Sequence, residues 1–210
     1  MTSEDRIFAC QLLGFLARSE QIAANCAQQQ SKLAVDKKMR AFFSTQARQE
    51  RQHAFVFNRS LQWLSEKNFQ QINYSGLYAF EKKLANAFDR NDLAESIVAQ
   101  QLLFEGLGEI TLHKVSAGIE DRGFGFQRLR KIILNQERAH HHFGEKHINA
   151  VINAPEFDVQ LIAKQCKEYL EILYLVLTEM ESVLEFYNQS VQGFYMQLIN
   201  DLPAKVREEI

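Results

Sequence analysis

Proline occurs at only two positions in this chain, Pro155 and Pro203, and glycine at nine. So long a run without chain breakers predicts long helices. The apolar pattern agrees. Phe8, Leu12, Phe15 and Leu16 recur at helical spacing, behind a helix start at Ser3-Glu4-Asp5 whose acids suit a first turn. That helix runs to about Leu33. Asp36 reads as the N-cap of a second helix, 37 to about 65, with Met39, Phe42, Phe43, Ala47, Phe57, Leu61 and Leu64 in phase. Residues 67–76 read as a loop, and Leu77 to Phe88 as a short helix. Asn91-Asp92 caps a third long helix, 93 to about 117. Three of the nine glycines then fall between Gly118 and Gly125, the clearest break in the chain. A fourth helix covers about 126–152 and ends at Asn153-Ala154-Pro155. A fifth, about 156–200, is long and apolar, with a kink expected near Gly193. PAKVREEI reads as a charged tail. No segment alternates as a strand does. The expectation is a single all-α domain, 1–210, with a four-helix core over 1–152 and a C-terminal helix and tail over 153–210.

Composition narrows the function classes. The net charge of −2 gives no basic footprint for nucleic acid. Cys10, Cys26 and Cys166 are odd in number and form no CxxC pair, which points to a reducing cytoplasm. The acidic start MTSEDRIF lacks the basic region of a signal peptide. No uncharged stretch approaches the ~18 residues of a membrane span.

Two Glu-x-x-His motifs stand out, Glu50-Arg-Gln-His53 and Glu137-Arg-Ala-His140. Glu and His three apart on a helix point the same way and can grip one metal. With 19 Glu and 6 His in the chain, chance alone yields roughly half such a motif, so two are only a mild excess. Their heights in the fold are more telling. Residues equidistant from the turn of an antiparallel helix pair lie at one level. Glu20 and Glu50 have their midpoint at residue 35, in the Val35-Asp36 turn. Glu105 and Glu137 have theirs at residue 121, inside the glycine-rich break. Each hairpin therefore sets one Glu opposite one Glu-x-x-His, about 22 Å from its turn. All four acids share faces with apolar residues: Leu16, Ala23 and Ala27 beside Glu20; Phe43, Ala47 and Phe57 beside Glu50; Val98, Leu102 and Leu112 beside Glu105; Ile133, Leu134 and Ile148 beside Glu137. Carboxylates on a core face are costly unless paired or metal-bound.

In these six positions the chain resembles the ferritin-like di-iron carboxylate proteins. Their pattern is one Glu from each of two helices and Glu-x-x-His from each of the other two. The resemblance covers about residues 5–152 and includes a long connection, 66–91, between the second and third helices. It implies a ferritin-like four-helix bundle with an additional long C-terminal helix. It also implies that Glu50 and Glu137 bridge two irons, His53 and His140 ligate one each, and Glu20 and Glu105 are terminal. The N/O ligand set suits iron or manganese. The spacing between His53 and Glu105 is closer to aldehyde-deformylating oxygenases and demethoxyubiquinone hydroxylases than to bacterioferritins.

Other polar residues get blander readings. His141, at i+4 from Glu137, is the alternative to His140. Glu109, His141 and His147 are candidates to support the ligands from outside, with an ion pair expected for Glu109. His113 and His147 read as packed histidines, His142 as solvated and Trp63 as packing. Phe57, Phe104 and Phe143 are candidates to line a substrate cavity. Arg128, Arg130 and Arg138 read as a solvated face. The expected activity is an O₂-activating di-iron oxygenase or hydroxylase on an apolar small molecule, fed by an external electron donor such as a ferredoxin or reductase. The alternatives are a ferroxidase, iron-storage or peroxide-scavenging protein, and a metal-free helical interaction protein. The apolar fifth helix suggests a homodimer.

Overall fold

The computed structural model describes residues 2–65, 74–121, 127–152 and 159–210. Among them every regular element is helical. Helix α1 (Ser3–Leu33) begins with a capping box: Thr2 accepts from the Asp5 amide at 3.0 Å, and Asp5 accepts from the Thr2 amide at 2.8 Å. Helix α2 (Lys37–Leu64) starts where expected, with Asp36 accepting from the amides of Lys38 and Met39. The three-residue connection makes α1 and α2 an antiparallel hairpin. Small side chains at its seam, Ala23, Ala24 and Ala27 against Ala47 and Ala54, are almost fully buried and allow the backbones to approach closely.

The second hairpin is less regular. Helix α4 (Leu93–Ile97), capped by Asp92, runs into a π-helical turn (Val98–Phe104) and on into α5 (Glu105–Asp121). Helix α6 (Gln127–Ile152) returns alongside α5 and the π turn. The expected glycine-rich break lies partly in α5, which extends to Asp121; residues 122–126 are outside the described residues. The crossover carries α3 (Ser75–Asp89), so Ser75-Gly76, read as loop, form its first turn. Its free amides are satisfied by Glu179, whose carboxylate accepts from Ser75 N at 2.9 Å and Gly76 N at 3.0 Å. Residues 67–73 of the expected loop and the Asn153-Ala154-Pro155 break lie outside the described residues.

The C-terminal segment is helical but is not one long helix. It divides into α7 (Val159–Glu179), α8 (Glu181–Phe186), α9 (Val191–Asn200) and the short α10 (Ala204–Arg207). Asn188 ends α8 in the left-handed region at φ 57°, a conformation its short polar side chain tolerates. Ser190 then restarts the chain by accepting from Gly193 N at 3.1 Å. The break therefore precedes Gly193. Helix α7 covers α3 and the π turn, α9 packs on α5 and α7, and α8 returns to the start of α1, where Phe186 stacks on Phe8 at 4.3 Å. No described helix is long and apolar enough to cross a membrane.

Candidate metal centre

The helix heights bring all six expected residues to one level in the core. Glu20 comes from α1, Glu50 and His53 from α2, Glu105 from α5, and Glu137 and His140 from α6, and none is more than 7% exposed. Their donor atoms fall into two quartets. Glu20, Glu50, His53 and Glu137 offer atoms that all lie within 4.8 Å of one another, and so do Glu50, Glu105, Glu137 and His140. Glu50 and Glu137 belong to both.

Each imidazole turns Nδ1 inward. His53 Nδ1 lies 2.9 Å from Glu50 Oε2, 3.1 Å from Glu137 Oε1 and 3.4 Å from Glu20 Oε2. His140 Nδ1 lies 2.8 Å from Glu50 Oε1 and 3.7 Å from Glu105 Oε2. The outer nitrogens meet glutamine oxygens: His53 Nε2 is 2.7 Å from Gln136 Oε1, and His140 Nε2 is 3.0 Å from Gln49 Oε1. A carbonyl oxygen can only accept, so Nε2 carries the hydrogen and, in the neutral ring, Nδ1 presents a lone pair. The arrangement is crossed. Gln49, just before Glu50 on α2, secures the histidine of α6, while Gln136, just before Glu137 on α6, secures the histidine of α2. The sequence carries the signal for these two residues as a repeated Gln-Glu-Arg-x-His, of which the Glu-x-x-His motif is only the latter part.

Four carboxylates and two imidazoles in one dry space strain each other electrostatically. Burial pushes Glu20 up to about 8, against the pull of His53. Burial and the neighbouring Glu20, Glu50 and Glu105 hold Glu137 well above the usual carboxylate range. Burial acts upward on Glu50 too, but the two imidazoles beside it prevail and draw it down to about 2. Burial disfavours charge on His140, yet Glu105 and Glu50 raise it to about 10; His53 is raised likewise by Glu137, Glu20 and Glu50. Protons are thus the only positive charge the side chains themselves supply, and divalent cations entering the cluster would displace them.

The residues fit such cations. Both oxygens of Glu50, Oε1 of Glu137 and both inward Nδ1 atoms are buried with no hydrogen-bond partner beyond their close approach to one another, and all belong to the two quartets. An unpartnered buried polar atom is costly, and five converging on one centre have a common explanation in metal ligation. Buried Glu and His of this set could hold two ions.

A cleft reaches the cluster from one side. It comprises about 420 Å³ of empty space, part of it open to solvent, between Phe15, Leu16 and Ala23 of α1, Phe104 of the π turn, and Leu107 and Leu112 of α5. Glu20, Glu105 and Glu137 form its floor, and no α2 residue lines it. Of the three phenylalanines considered from sequence, Phe104 lines this cleft. Phe57 is buried elsewhere in the core, and Phe143 stacks on Phe42 at 3.8 Å.

The remaining candidates lie outside the quartets. His141 turns to Glu109, with Nδ1 3.1 Å from Oε2, and Arg138 donates to the same carboxylate at 3.0 Å. Helix geometry explains this: one residue on from His140 is a rotation of 100°, enough to face α5 instead of the cluster. His147 is half-buried against Phe143, and His142 is exposed. His113 is exposed rather than packed, and Trp63 is 75% exposed, because both fall on outward helix faces. The side chains of Arg128 and Arg130 lie outside the described residues.

Bundle, crossover and buried Glu/His cluster together define a ferritin-like helical-bundle fold whose buried Glu and His residues could hold metal. No family model matches the chain, and no curated protein matches its sequence. Among solved structures it is similar to a Synechococcus protein with aldehyde deformylating oxidase activity, at a TM-score of 0.75 and 13% identity, over 95% of this chain and 88% of that one. At that identity the likeness is one of fold.

Proposed function

We propose that the chain is a non-haem di-iron oxygenase of the monooxygenase type, hydroxylating an apolar small molecule. The observation that carries this is the sharing of Glu50 and Glu137 between the two quartets. In this assignment Glu20, Glu50, His53 and Glu137 would hold one ion, and Glu50, Glu105, Glu137 and His140 the other. Two ferrous ions, if bound there, would supply electrons and open positions for O₂ activation, and manganese would suit the same ligands. The protein's part is to neutralise the ions with its carboxylates, to fix both imidazoles through Gln49 and Gln136, and to exclude water with Phe15, Leu16, Phe104 and Leu112. Ser19 lines the cleft, and its buried Oγ, which has no hydrogen-bond partner, would hold the polar end of a partly apolar substrate.

Hydroxylation balances as RH + O₂ + 2e⁻ + 2H⁺ → ROH + H₂O, so an external donor must supply two electrons. The outward face of α2 supports an acidic carrier. It exposes Lys37, Arg48, Arg51 and Arg59 with Phe55 and Trp63, and the only acid of that helix is the buried Glu50. Arginine beside exposed aromatics is the composition of protein docking hot spots. This face is separate from the cleft, so carrier and substrate would not compete.

The test loads the protein anaerobically with Fe(II), counts iron, and then supplies isotope-labelled O₂, reduced ferredoxin and a panel of alkyl aldehydes and alkanes. Aldehydes are included because of the activity of the Synechococcus protein. About two irons per chain and labelled oxygen in an organic product are expected. Iron oxidation with mineral accumulation and no organic product would favour a ferroxidase; no iron uptake would refute the metal centre.

A further inference from the structure

Behind Glu105 runs a chain of glutamines that the Glu/His pattern does not require. Gln30, Gln46, Gln100 and Gln101 are all 0% exposed. Gln46 Nε2 donates to Glu105 Oε1 at 2.6 Å, and Gln100 Nε2 donates to the same oxygen at 2.8 Å. Gln101 donates to Gln46 Oε1 at 3.0 Å and exchanges bonds of 2.8 Å with Gln30, which donates on to Ser96 Oγ at 3.2 Å. A carboxylate can only accept, so Glu105 fixes the orientation of Gln46, and Gln46 in turn fixes that of Gln101. The π turn is what brings this about. The amide of Glu105 bonds to the carbonyl of Gln100, five residues back, which stacks the two side chains as an α-helix would not.

Glu20, the counterpart of Glu105 in the other quartet, has no such support. Among the described residues its side chain pairs with His53 but takes no amide donor, and like Glu105 it lies on the cleft floor. The two imidazoles, by contrast, are supported alike, each by one glutamine. The difference between the two quartets therefore lies in their terminal carboxylates.

We infer that Gln46 and Gln100 are positioning residues which pin Glu105 as a single-oxygen ligand through Oε2, making the Glu105/His140 position the tight metal site and the Glu20/His53 position the exchangeable one. This rests on the metal centre proposed above. With Oε1 taken up by two buried amides, only Oε2 is left facing His140. A carboxylate held in its binding pose loses little freedom on ligation, whereas Glu20 must be ordered by the ion itself. The labile ion is then the one whose terminal ligand can turn toward the cleft, where substrate enters.

The test is anaerobic titration of the full-length apo-protein with Co(II), followed by calorimetry and visible absorption. The wild type is expected to take two ions in two resolved steps. Glu20→Ala should keep the tight step and Glu105→Ala only the weak one. Gln100→Met removes a single donor at the end of the network and should weaken the tight step 10–100-fold, the usual cost of losing a group that supports a ligand, while leaving the weak step unchanged. Gln46→Met should do the same where it folds, as judged by circular dichroism. Gln136→Met, behind His53, should weaken the other step instead. If Gln100→Met leaves both steps unchanged, or Glu105→Ala keeps the tight ion, the inference is wrong although the metal centre stands. If the wild type takes up no ion, the metal centre itself fails and the inference falls with it.

Discussion

Glu50→Ala is expected to bind neither metal ion, whereas Glu20→Ala should still bind one. The contrast follows from membership of the quartets: Glu50 is common to both, Glu20 belongs to one. Removing a terminal ligand leaves the other position with its four donors. Removing a bridging ligand takes a donor from each and leaves His53 and His140 without the carboxylate nearest to both. Loss of affinity at both positions should exceed the ~10–100-fold typical of groups that only support a ligand. A thermal melt reports the same difference. An ion present at 100 times its dissociation constant stabilises the native state by about 2.7 kcal/mol. In a chain of this size that raises Tm by roughly 5–10 °C. The wild type should show the shift, Glu20→Ala a smaller one, and Glu50→Ala none. Glu50→Gln, which preserves volume, guards against a folding defect. Equal loss in Glu20→Ala and Glu50→Ala would mean that the carboxylates do not bridge, and the cluster would then be a set of buried ion pairs.

The Glu/His cluster was legible because it depends on chain geometry that a sequence states openly. Asp36 marks a turn, and equal distances on either side of it set Glu20 opposite Glu50 whatever the packing details. Glu105 and Glu137 also meet, but the midpoint argument does not account for it, because α5 runs on through the expected break to Asp121. The glutamine network was not legible in the same way. It depends on the π turn, and one five-residue backbone bond leaves almost no trace in hydropathy. Its only sign is two adjacent polar residues, Gln100 and Gln101, in an otherwise apolar run from Ile97 to Phe104. Gln49 and Gln136 were within reach, since both precede a glutamate in the same five-residue repeat. The C-terminal helices were misjudged because Asn188 can either continue a helix or leave it through the left-handed region. Periodicity alone does not distinguish these outcomes; the Ser190 cap two residues later does. His141 shows the limit of spacing arguments. Both i+3 and i+4 from Glu137 are compatible with ligation on spacing alone; the rotation that turns His141 toward Glu109 on α5 separates them.

Gly144→Ala should lower stability, against the trend for glycine in a helix. Replacing an interior helical glycine by alanine ordinarily gains up to about 1 kcal/mol through backbone entropy. Here the added methyl would lie 2.7 Å from the carbonyl carbon of Gln101 and 2.9 Å from its oxygen. Those atoms belong to the backbone of the π turn and cannot move aside as a side chain tip can. Overpacking of this kind costs about 1–3 kcal/mol, so the clash outweighs the propensity gain unless α6 shifts outward. A shift would also disturb Gln101, which bonds to both Gln30 and Gln46, and through Gln46 would reach Glu105. The expected result is a Tm several degrees below wild type, at roughly 2–4 °C per kcal/mol, together with weaker binding at the Glu105/His140 position. Gly108→Ala is the matched control. Its methyl would meet only Glu137 Oε2, at an ordinary 3.5 Å, so the propensity gain should survive and Tm should hold or rise. If both variants melt alike, α6 is not in close contact with the π turn, and the glycine at 144 has no steric role.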